Sequence, residues 1–361
     1  MSHPHKIIAK SYSKLNLGLL VPFRYPSGYH HIVSLFVPIS FADEIEFKYE
    51  KEKKFEIIFE DCLPNAFKGK LDDVFSQKSI PDNLMYRAFE MIEKISDLFL
   101  SKNINVPEDI IPRVSIKIKK RVPSPAGLGG GSSNAASLIS FFIEIFEKNI
   151  KDKYLRKQIH EFLHDESLKL GSDIPFFLSG KPALVSGIGE IKEEVKIPQI
   201  TGILGLPPFG FATATMYKTL KKTLQTENDL NYNLGKAENR FHKFVDQLWL
   251  ESEEGIKNNA PENGDMPENE FLTAAENIYP EETKLLAKAM KEVSKVLEKN
   301  LFQASIKRKI YTSMSGSGAS FFAFIVCDKQ TNNNLNGALK KTLNEIEKAS
   351  PEISWVNFHS V

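Results

Sequence analysis

The chain has 361 residues, which is enough to bury a sizeable core and favours two domains over one. Its 47 Lys and Arg nearly cancel its 46 Asp and Glu, so bulk charge argues against a nucleic-acid partner. Two distant cysteines, Cys62 and Cys327, favour neither a disulfide framework nor a zinc cluster, and no stretch has the pattern of a signal peptide or membrane span, so we predict a cytoplasmic protein without a membrane partner.

The first half of the chain mixes strand and helix patterns around one run of Gly and Ser. Period-two alternation predicts half-buried strands, and apolar residues three and four apart predict helices. In chain order the predictions are strands within 32–60, a turn-rich insert at 64–82, a helix over 84–99, a strand at 114–120, helices over 135–146 and 154–163, and a strand at 183–185 entering a turn at 187–189.

The second half opens with a strand at 200–206 that is a plausible start of a second domain. The polar stretch from Asn228 to Asn269 is interpreted as a surface insertion with one helical island around 241–250. Because strands and helices alternate without a regular βαβ rhythm, we predict an α+β fold. The remaining predictions are a helix over 282–298, strands at 310–314 and 319–327 around a turn at 315–318, a helix over 332–346 and a strand at 353–358.

The run from Pro123 to Ser133 is a candidate phosphate cradle. Its small residues let backbone N–H groups approach a ligand, and the helix that follows would direct a partial positive charge at an anion. A flexible linker is the alternative, although the run lies directly between a strand and an apolar helix. No Lys follows the glycines as a Walker A loop requires, and Ser132 stands where a dinucleotide-binding loop needs glycine.

Four segments in order resemble the GHMP kinases: 9–17, the loop 123–133, 170–176 and 314–319. This resemblance implies a two-domain fold, with an N-terminal domain like the second domain of ribosomal protein S5 and a ferredoxin-like C-terminal domain. We expect domains at 1–198 and 199–361, the second with a polar insertion at about 228–268. It also implies ATP and Mg²⁺ as cofactors, bound by Pro123, Ser124, Pro125, Ala126, Gly127, Leu128, Gly129, Gly130, Gly131, Ser132, Ser133, Gly316 and Gly318, with Ser132 or Ser133 as possible metal contacts.

The same resemblance implies a catalytic pair. Asp173 would accept a proton from the attacking alcohol, and Lys14 would hold that carboxylate ionised. From the residues alone, a helix cap or turn aspartate is the favoured interpretation of Asp173, and a solvated lysine on a polar strand face is the alternative for Lys14. A simple turn between strands would also explain Gly316 and Gly318.

Three finer features resemble one branch of the family, whose substrate is a small alcohol that carries cytidine diphosphate. They are the glycine triple 129–131, the turn at 27–30 and the helix start at 82–84. Tyr29 and His30 would meet the base, Asn16 and Thr213 would contact the substrate, and Tyr217 would form the opposite face of the base slot. The alternatives are an exposed loop pair for Tyr29 and His30, a strand-edge amide for Asn16 and a core position for Tyr217. Another GHMP kinase, acting on homoserine, mevalonate or a sugar, and a non-catalytic nucleotide-binding regulator remain open.

Three features depart from the pattern of this branch. Position 31 is His31 where many relatives carry Glu, and residues 124–126 replace the small residues that are common there. The inserts before residue 82 and at 228–268 exceed the usual family length. For assembly we expect a monomer or a weak homodimer.

Overall fold

The computed structural model describes residues 6–49, 55–67, 83–101, 111, 113–220, 227–254, 265–327 and 332–361. Most of the predicted insert at 64–82 lies outside these residues. No helix in the described part is long and apolar enough to cross a membrane.

The first sheet has six strands, and β2 is its hub. Along one edge β2 pairs with β1 over nearly its whole length, and along the other it pairs with β5 and then β4. Every pairing in the sheet is antiparallel except that of β3 with β4. Its strands are β1 (Lys6–Arg24), β2 (His30–Tyr49), β3 (Glu56–Asp61), β4 (Val114–Lys120), β5 (Ala183–Gly187) and β6 (Ile191–Glu194).

Four helices pack with this sheet around one apolar core. The predicted apolar helix is buried along most of its length, and its Phe141 stacks on Phe47 of β2 with ring centroids 4.3 Å apart. It begins at Gly130, so the last four residues of the Pro123–Ser133 run form its first turn. The helices are α1 (Leu84–Ser101), α2 (Gly130–Asn149), α3 (Lys153–Leu170) and α4 (Ile174–Ser179).

The second sheet has four antiparallel strands in the order β10-β7-β9-β8. Leu286, Val293 and Leu297 of the helix Pro280–Gln303 share one buried face, which packs against this sheet. The α+β fold is confirmed, because both sheets are largely antiparallel. The elements are β7 (Ile200–Leu206), α5 (Thr213–Thr219), α6 (Glu227–Glu254), α7 (Glu270–Ile278), α8 (Pro280–Gln303), β8 (Tyr311–Met314), β9 (Phe321–Val326), α9 (Asn332–Ala349) and β10 (Ser354–His359).

The interpretation of 228–268 as a surface insertion is wrong for the part that the structure describes. Glu227–Glu254 is one continuous helix, so the predicted helical island extends in both directions. Phe241, Phe244 and Leu248 are fully buried and pack with residues of both sheets. These three positions form a narrow apolar stripe on the helix. The surrounding Asn, Glu and Lys make the stretch polar overall, so its composition does not indicate a buried face.

The division of the chain at residue 198 stays a prediction. All strands of the first sheet end by Glu194, and all strands of the second begin at Ile200 or later. The two sheets share a buried core, so a boundary in sequence is not a gap in packing.

Candidate active site

A cavity of about 340 Å³ brings the four motif segments together. It is lined by Lys14 and Asn16 of β1, the Gly/Ser loop, Asp173, and residues of the second half of the chain that include Tyr217 and Gly316. A larger cavity, of about 860 Å³, is lined by Phe41, Arg121 and Trp355 among others and by none of the predicted site residues. The smaller cavity is therefore the candidate active site.

The loop between β4 and α2 has the geometry of an anion cradle. Gly129 occupies the N-cap position of α2 with φ 69°, a left-handed conformation that favours glycine. A Cβ atom at this position would lie 2.8 Å from the Phe177 ring and 3.4 Å from Asp173 Oδ2. The N-terminus of α2 thus faces the cavity beside Asp173, where backbone N–H groups and the helix dipole favour an anion.

The second sheet supplies the other wall of this loop. Ser315 Oγ donates to Gly127 O at 3.1 Å, and the Ser320 N–H donates to Ala126 O at 3.4 Å. Gly316 and Gly318 both have positive φ, 56° and 89°, in the turn between β8 and β9. The structure thus places this turn against the cradle, so it does more than connect two strands.

Gly127 packs directly against the second half of the chain, and its replacement should be damaging. An added Cβ would lie 2.0 Å from Ser315 O, and φ is already 72°. We expect Gly127→Ala to lose ATP binding and to lower the unfolding temperature. Gly180→Ala is the matched control, because Gly180 has φ 63° but no atom within 4 Å of its Cβ position. Calorimetric titration and thermal unfolding of both variants measure the difference; equal behaviour would contradict the proposed close contact.

The two loop serines have different surroundings. Ser132 lines the cavity. The Ser133 side chain is buried, with its Oγ 2.7 Å from the Ser11 hydroxyl of β1, which also lies 2.7 Å from Asn134 Oδ1. Of the two predicted phosphate or metal contacts, the structure brings Ser132 to the cavity, whereas Ser133 ties α2 to β1.

Lys14 and Asp173 form an ion pair at the cavity, with Lys14 Nζ 3.8 Å from Asp173 Oδ2. Lys14 is buried, donates to Asn16 Oδ1 and lies 4.3 Å above the centre of the Phe36 ring. Burial lowers the pKa of the Lys14 ammonium, and the Asp173 charge opposes this effect. The pair thus keeps a carboxylate and a largely desolvated cation side by side.

Asp173 is also the N-cap residue of α4, which was the alternative interpretation. Its side chain makes no capping hydrogen bond within the described structure and is 26% exposed. Asp152, by contrast, caps α3 by accepting from the Tyr154 and Leu155 N–H groups. The Asp173 carboxylate is therefore directed to Lys14 and the cavity.

Asn16 lies on the floor of the cavity and is fully buried. Its Oδ1 accepts from Lys14, and its Nδ2 donates to Ser34 Oγ at 2.9 Å. Contact with a substrate stays a prediction, because these two bonds already orient the amide. The sequence analysis missed Ser34 and Phe36; their two-residue spacing on β2 indicated one strand face, but not that β1 lies opposite.

The predicted base slot is partly rearranged. His30 is buried and stacks directly on Tyr217 of α5, with ring centroids 5.2 Å apart and planes at 28°. Tyr29 is 63% exposed on the hairpin loop and is not among the residues that line the cavity. Burial, with the Asp173 charge, raises the pKa of Tyr217, so its hydroxyl is neutral. Thr213 lies nearby, with Oγ1 2.7 Å from Ser317 Oγ.

His31 links the hairpin loop to the end of β5. The Gly187 N–H donates to its Nε2 at 3.1 Å, and its Nδ1 lies 2.7 Å from Tyr25 Oη. Because a backbone N–H can only donate, the neutral ring carries its proton on Nδ1 and donates it to the tyrosine. Burial lowers the pKa of His31 against the opposing charge of Glu190, which favours this neutral form.

The described residues contain no group of three or more His, Cys, Asp or Glu side chains that could hold a metal ion. The cavity does offer oxygen donors, the Ser132 hydroxyl and the Asp173 carboxylate. Oxygen donors suit Mg²⁺, which often relies on one or two carboxylates and on the phosphates of its ligand. The residues present therefore fit a magnesium ion that arrives with a nucleotide.

Comparison with known proteins identifies a matching family and similar sequences. Residues 83–181 match the family described as GHMP kinases, N-terminal domain. The chain is 36% identical over 217 residues to the 4-diphosphocytidyl-2-C-methyl-D-erythritol kinase of Leptospira interrogans serogroup Icterohaemorrhagiae serovar copenhageni, a match that covers 59% of this chain and 65% of the relative. It is 26% identical to the enzyme of that name from Leptospira biflexa serovar Patoc, covering 89% of this chain and 91% of the relative.

Two solved structures share the fold. The crystal structure of 4-(cytidine 5'-diphospho)-2C-methyl-D-erythritol kinase has a TM-score of 0.61 at 20% identity and covers 98% of this chain and 100% of its own. Homoserine kinase from Cytophaga hutchinsonii has a TM-score of 0.53 at 15% identity, covering 100% of this chain and 96% of its own. The two-domain α+β fold predicted from the four motifs is therefore confirmed, and residues 83–181 match the GHMP kinase N-terminal domain.

Proposed function

We propose that this protein transfers the γ-phosphate of ATP to the 2-hydroxyl of 4-diphosphocytidyl-2-C-methyl-D-erythritol, a step of non-mevalonate isoprenoid precursor biosynthesis. The observation that carries the proposal is the Lys14–Asp173 pair at the mouth of the glycine loop, with Asp173 Oδ2 3.4 Å from a Cβ built on Gly129. A general base and a phosphate cradle thus share one cavity. The names of the bacterial relatives support the choice of substrate.

The chemistry needs little beyond positioning and charge stabilisation. Asp173 takes the proton of the 2-hydroxyl as that oxygen attacks the γ-phosphorus. The new P–O bond forms as the bond to the β-phosphate oxygen breaks, and ADP leaves with that electron pair. Lys14 pairs with the Asp173 carboxylate and stabilises negative charge on the attacking oxygen, while the N-terminus of α2 stabilises the phosphates.

A magnesium ion, when bound, would neutralise negative charge on the ATP phosphates. Ser132 is the loop side chain proposed to contact it, because Ser133 is occupied with Ser11. The loop from Pro123 to Ser133 and the turn with Gly316 and Gly318 are proposed to contact ATP.

The cytidine is proposed to bind near the His30–Tyr217 stack. Tyr29 would cover the base only after the exposed hairpin loop moves over it, since its side chain is exposed and does not line the cavity. Asn16 and Thr213 are proposed to contact the rest of the substrate. A cytoplasmic location and a monomer or weak homodimer complete the proposal.

The test is a product assay of the purified protein with ATP and Mg²⁺. The cytidine-diphosphate alcohol, mevalonate and homoserine are offered in parallel, and we expect turnover of the first alone. Turnover of another alcohol in its place would assign the chain to a different substrate within the family. Nucleotide binding without turnover of any alcohol would support the non-catalytic regulator.

A further inference from the structure

One buried ion pair lies directly behind the glycine loop and outside the proposed chemistry. Asp43 of β2 and Lys120, the last residue of β4, are 1% and 2% exposed, and their side chains contact each other. The antiparallel pairing of β2 with β4 ends at Glu44 opposite Lys119, so Asp43 and Lys120 are the first positions beyond the paired residues. Asp43 therefore lies where the chain leaves the sheet to form the loop.

The Asp43 carboxylate replaces the strand partner that the chain loses at this point. Its Oδ1 accepts from the Arg121 N–H at 2.7 Å and from the Val122 N–H at 2.8 Å. These are the last two residues before Pro123, where the loop begins. Without this acceptor, two N–H groups at the base of the loop would lose their partner, and the loss is costly at Val122, whose bond to Asp43 is buried.

The same residues also contact the far end of the loop. A Cβ atom built on Gly130, the first residue of α2, would lie 2.8 Å from Val122 Cγ1 and 3.2 Å from Lys120 Nζ. One buried cluster thus contacts both the start of the loop and the helix N-terminus at its end. Any shift of the 120–122 backbone would displace both boundaries of the cradle.

We propose that Asp43, paired with Lys120, is a positioning residue for nucleotide binding. It holds the 121–122 backbone in register, and so fixes the loop and the N-terminus of α2 in the geometry that fits the ATP phosphates. This inference rests on the proposed nucleotide site. Asp43 itself does not line the cavity. Its effect is transmitted through the loop that begins at Pro123, which does line the cavity.

The test separates hydrogen-bond acceptance from charge. Asp43→Ala removes the acceptor and leaves Lys120 buried without its anion. The double variant Asp43→Asn with Lys120→Met keeps an oxygen that can accept both N–H groups and removes both charges together. We expect Asp43→Ala to raise the KM for ATP on the order of tenfold or more, with a smaller change in the KM of the alcohol. The double variant should recover most of the loss.

A neighbouring ion pair provides the matched control. Lys119 Nζ and Glu44 Oε1 are 2.7 Å apart on the same two strands, but this pair is partly exposed. Among the described residues, the Arg121 and Val122 N–H groups bond to Asp43 and not to this pair. Glu44→Gln with Lys119→Met should leave both KM values unchanged. Amide hydrogen exchange at Arg121 and Val122 should accelerate in Asp43→Ala and stay slow in the double variant.

Calorimetric titration with ATP distinguishes the possible failures. Absence of ATP binding by the wild-type protein would overturn the proposed function and this inference with it. Wild-type binding matched by a folded Asp43→Ala variant would overturn the inference alone. If Asp43→Ala does not fold, the double variant decides: near wild-type ATP affinity with slow amide exchange supports the positioning role, and lost affinity with rapid exchange overturns it.

Discussion

Replacing Asp173 with asparagine is expected to lower kcat by about three orders of magnitude while ATP still binds, because a positioned general base contributes about 10²–10⁴-fold. Asparagine keeps the size of the side chain and cannot accept the hydroxyl proton. The carboxylate faces Lys14 at 3.8 Å and makes no capping bond within the described structure, so its removal should act on chemistry. Steady-state kinetics and ATP titration measure the two effects separately.

Asp152→Ala is the control for this experiment, since Asp152 is an N-cap that does bond to backbone N–H groups. Its loss should cost about 1 kcal/mol of stability and leave kcat unchanged. If Asp173→Asn behaved in the same way, with near-normal turnover and reduced stability, the helix-cap interpretation would be correct and the base assignment wrong.

The second large effect is expected at Lys14. Lys14→Met keeps the apolar stem over Phe36 and removes the ammonium, so kcat should fall about a hundredfold or more, as for other removed electrostatic donors. Stability should fall by about 1–3 kcal/mol, because the fully buried Asn16 Oδ1 loses its donor, whereas Asp173 is 26% exposed and retains solvent. Thermal unfolding with steady-state kinetics checks both statements.

Lys192→Met is the matched control for Lys14. Lys192 is half-buried and donates to Pro175 O of α4, the helix that Asp173 caps, at 2.8 Å. Burial lowers the pKa of Lys192 as it does that of Lys14. A loss of turnover as large as that of Lys14→Met would show that α4 has been disturbed rather than that a catalytic charge has been removed.

The sequence predicted the elements whose patterns are local. Strand β7 over Ile200–Leu206 follows from a short apolar run that two prolines end, and the helix after the glycine loop follows from a longer apolar run. Helix α6 was recognised only in part, because its buried stripe is narrow and tertiary packing, not composition, stabilises it.

The site residues that lie in motifs could be predicted from the sequence. Those whose roles depend on the register of strand pairing could not. Lys14 and Asp173 are separated by more than 150 residues, and only the family resemblance placed them together. The roles of Ser11 and Asp43 depend on which strands pair and where the pairing ends, which single-residue patterns do not contain. The same limit explains why Ser132 and Ser133 were not distinguished.

The contact between Gly127 and Ser315 has a consequence for dividing this chain. A fragment that ends before Ile200 would contain the glycine loop, Lys14 and Asp173, and so every group assigned to the chemistry. It would lack the Ser315 hydroxyl that binds Gly127 O and the Ser320 N–H that binds Ala126 O. The amino-terminal half is thus expected to need its carboxy-terminal half as a scaffold, and two separately expressed halves should regain activity only by reassociating.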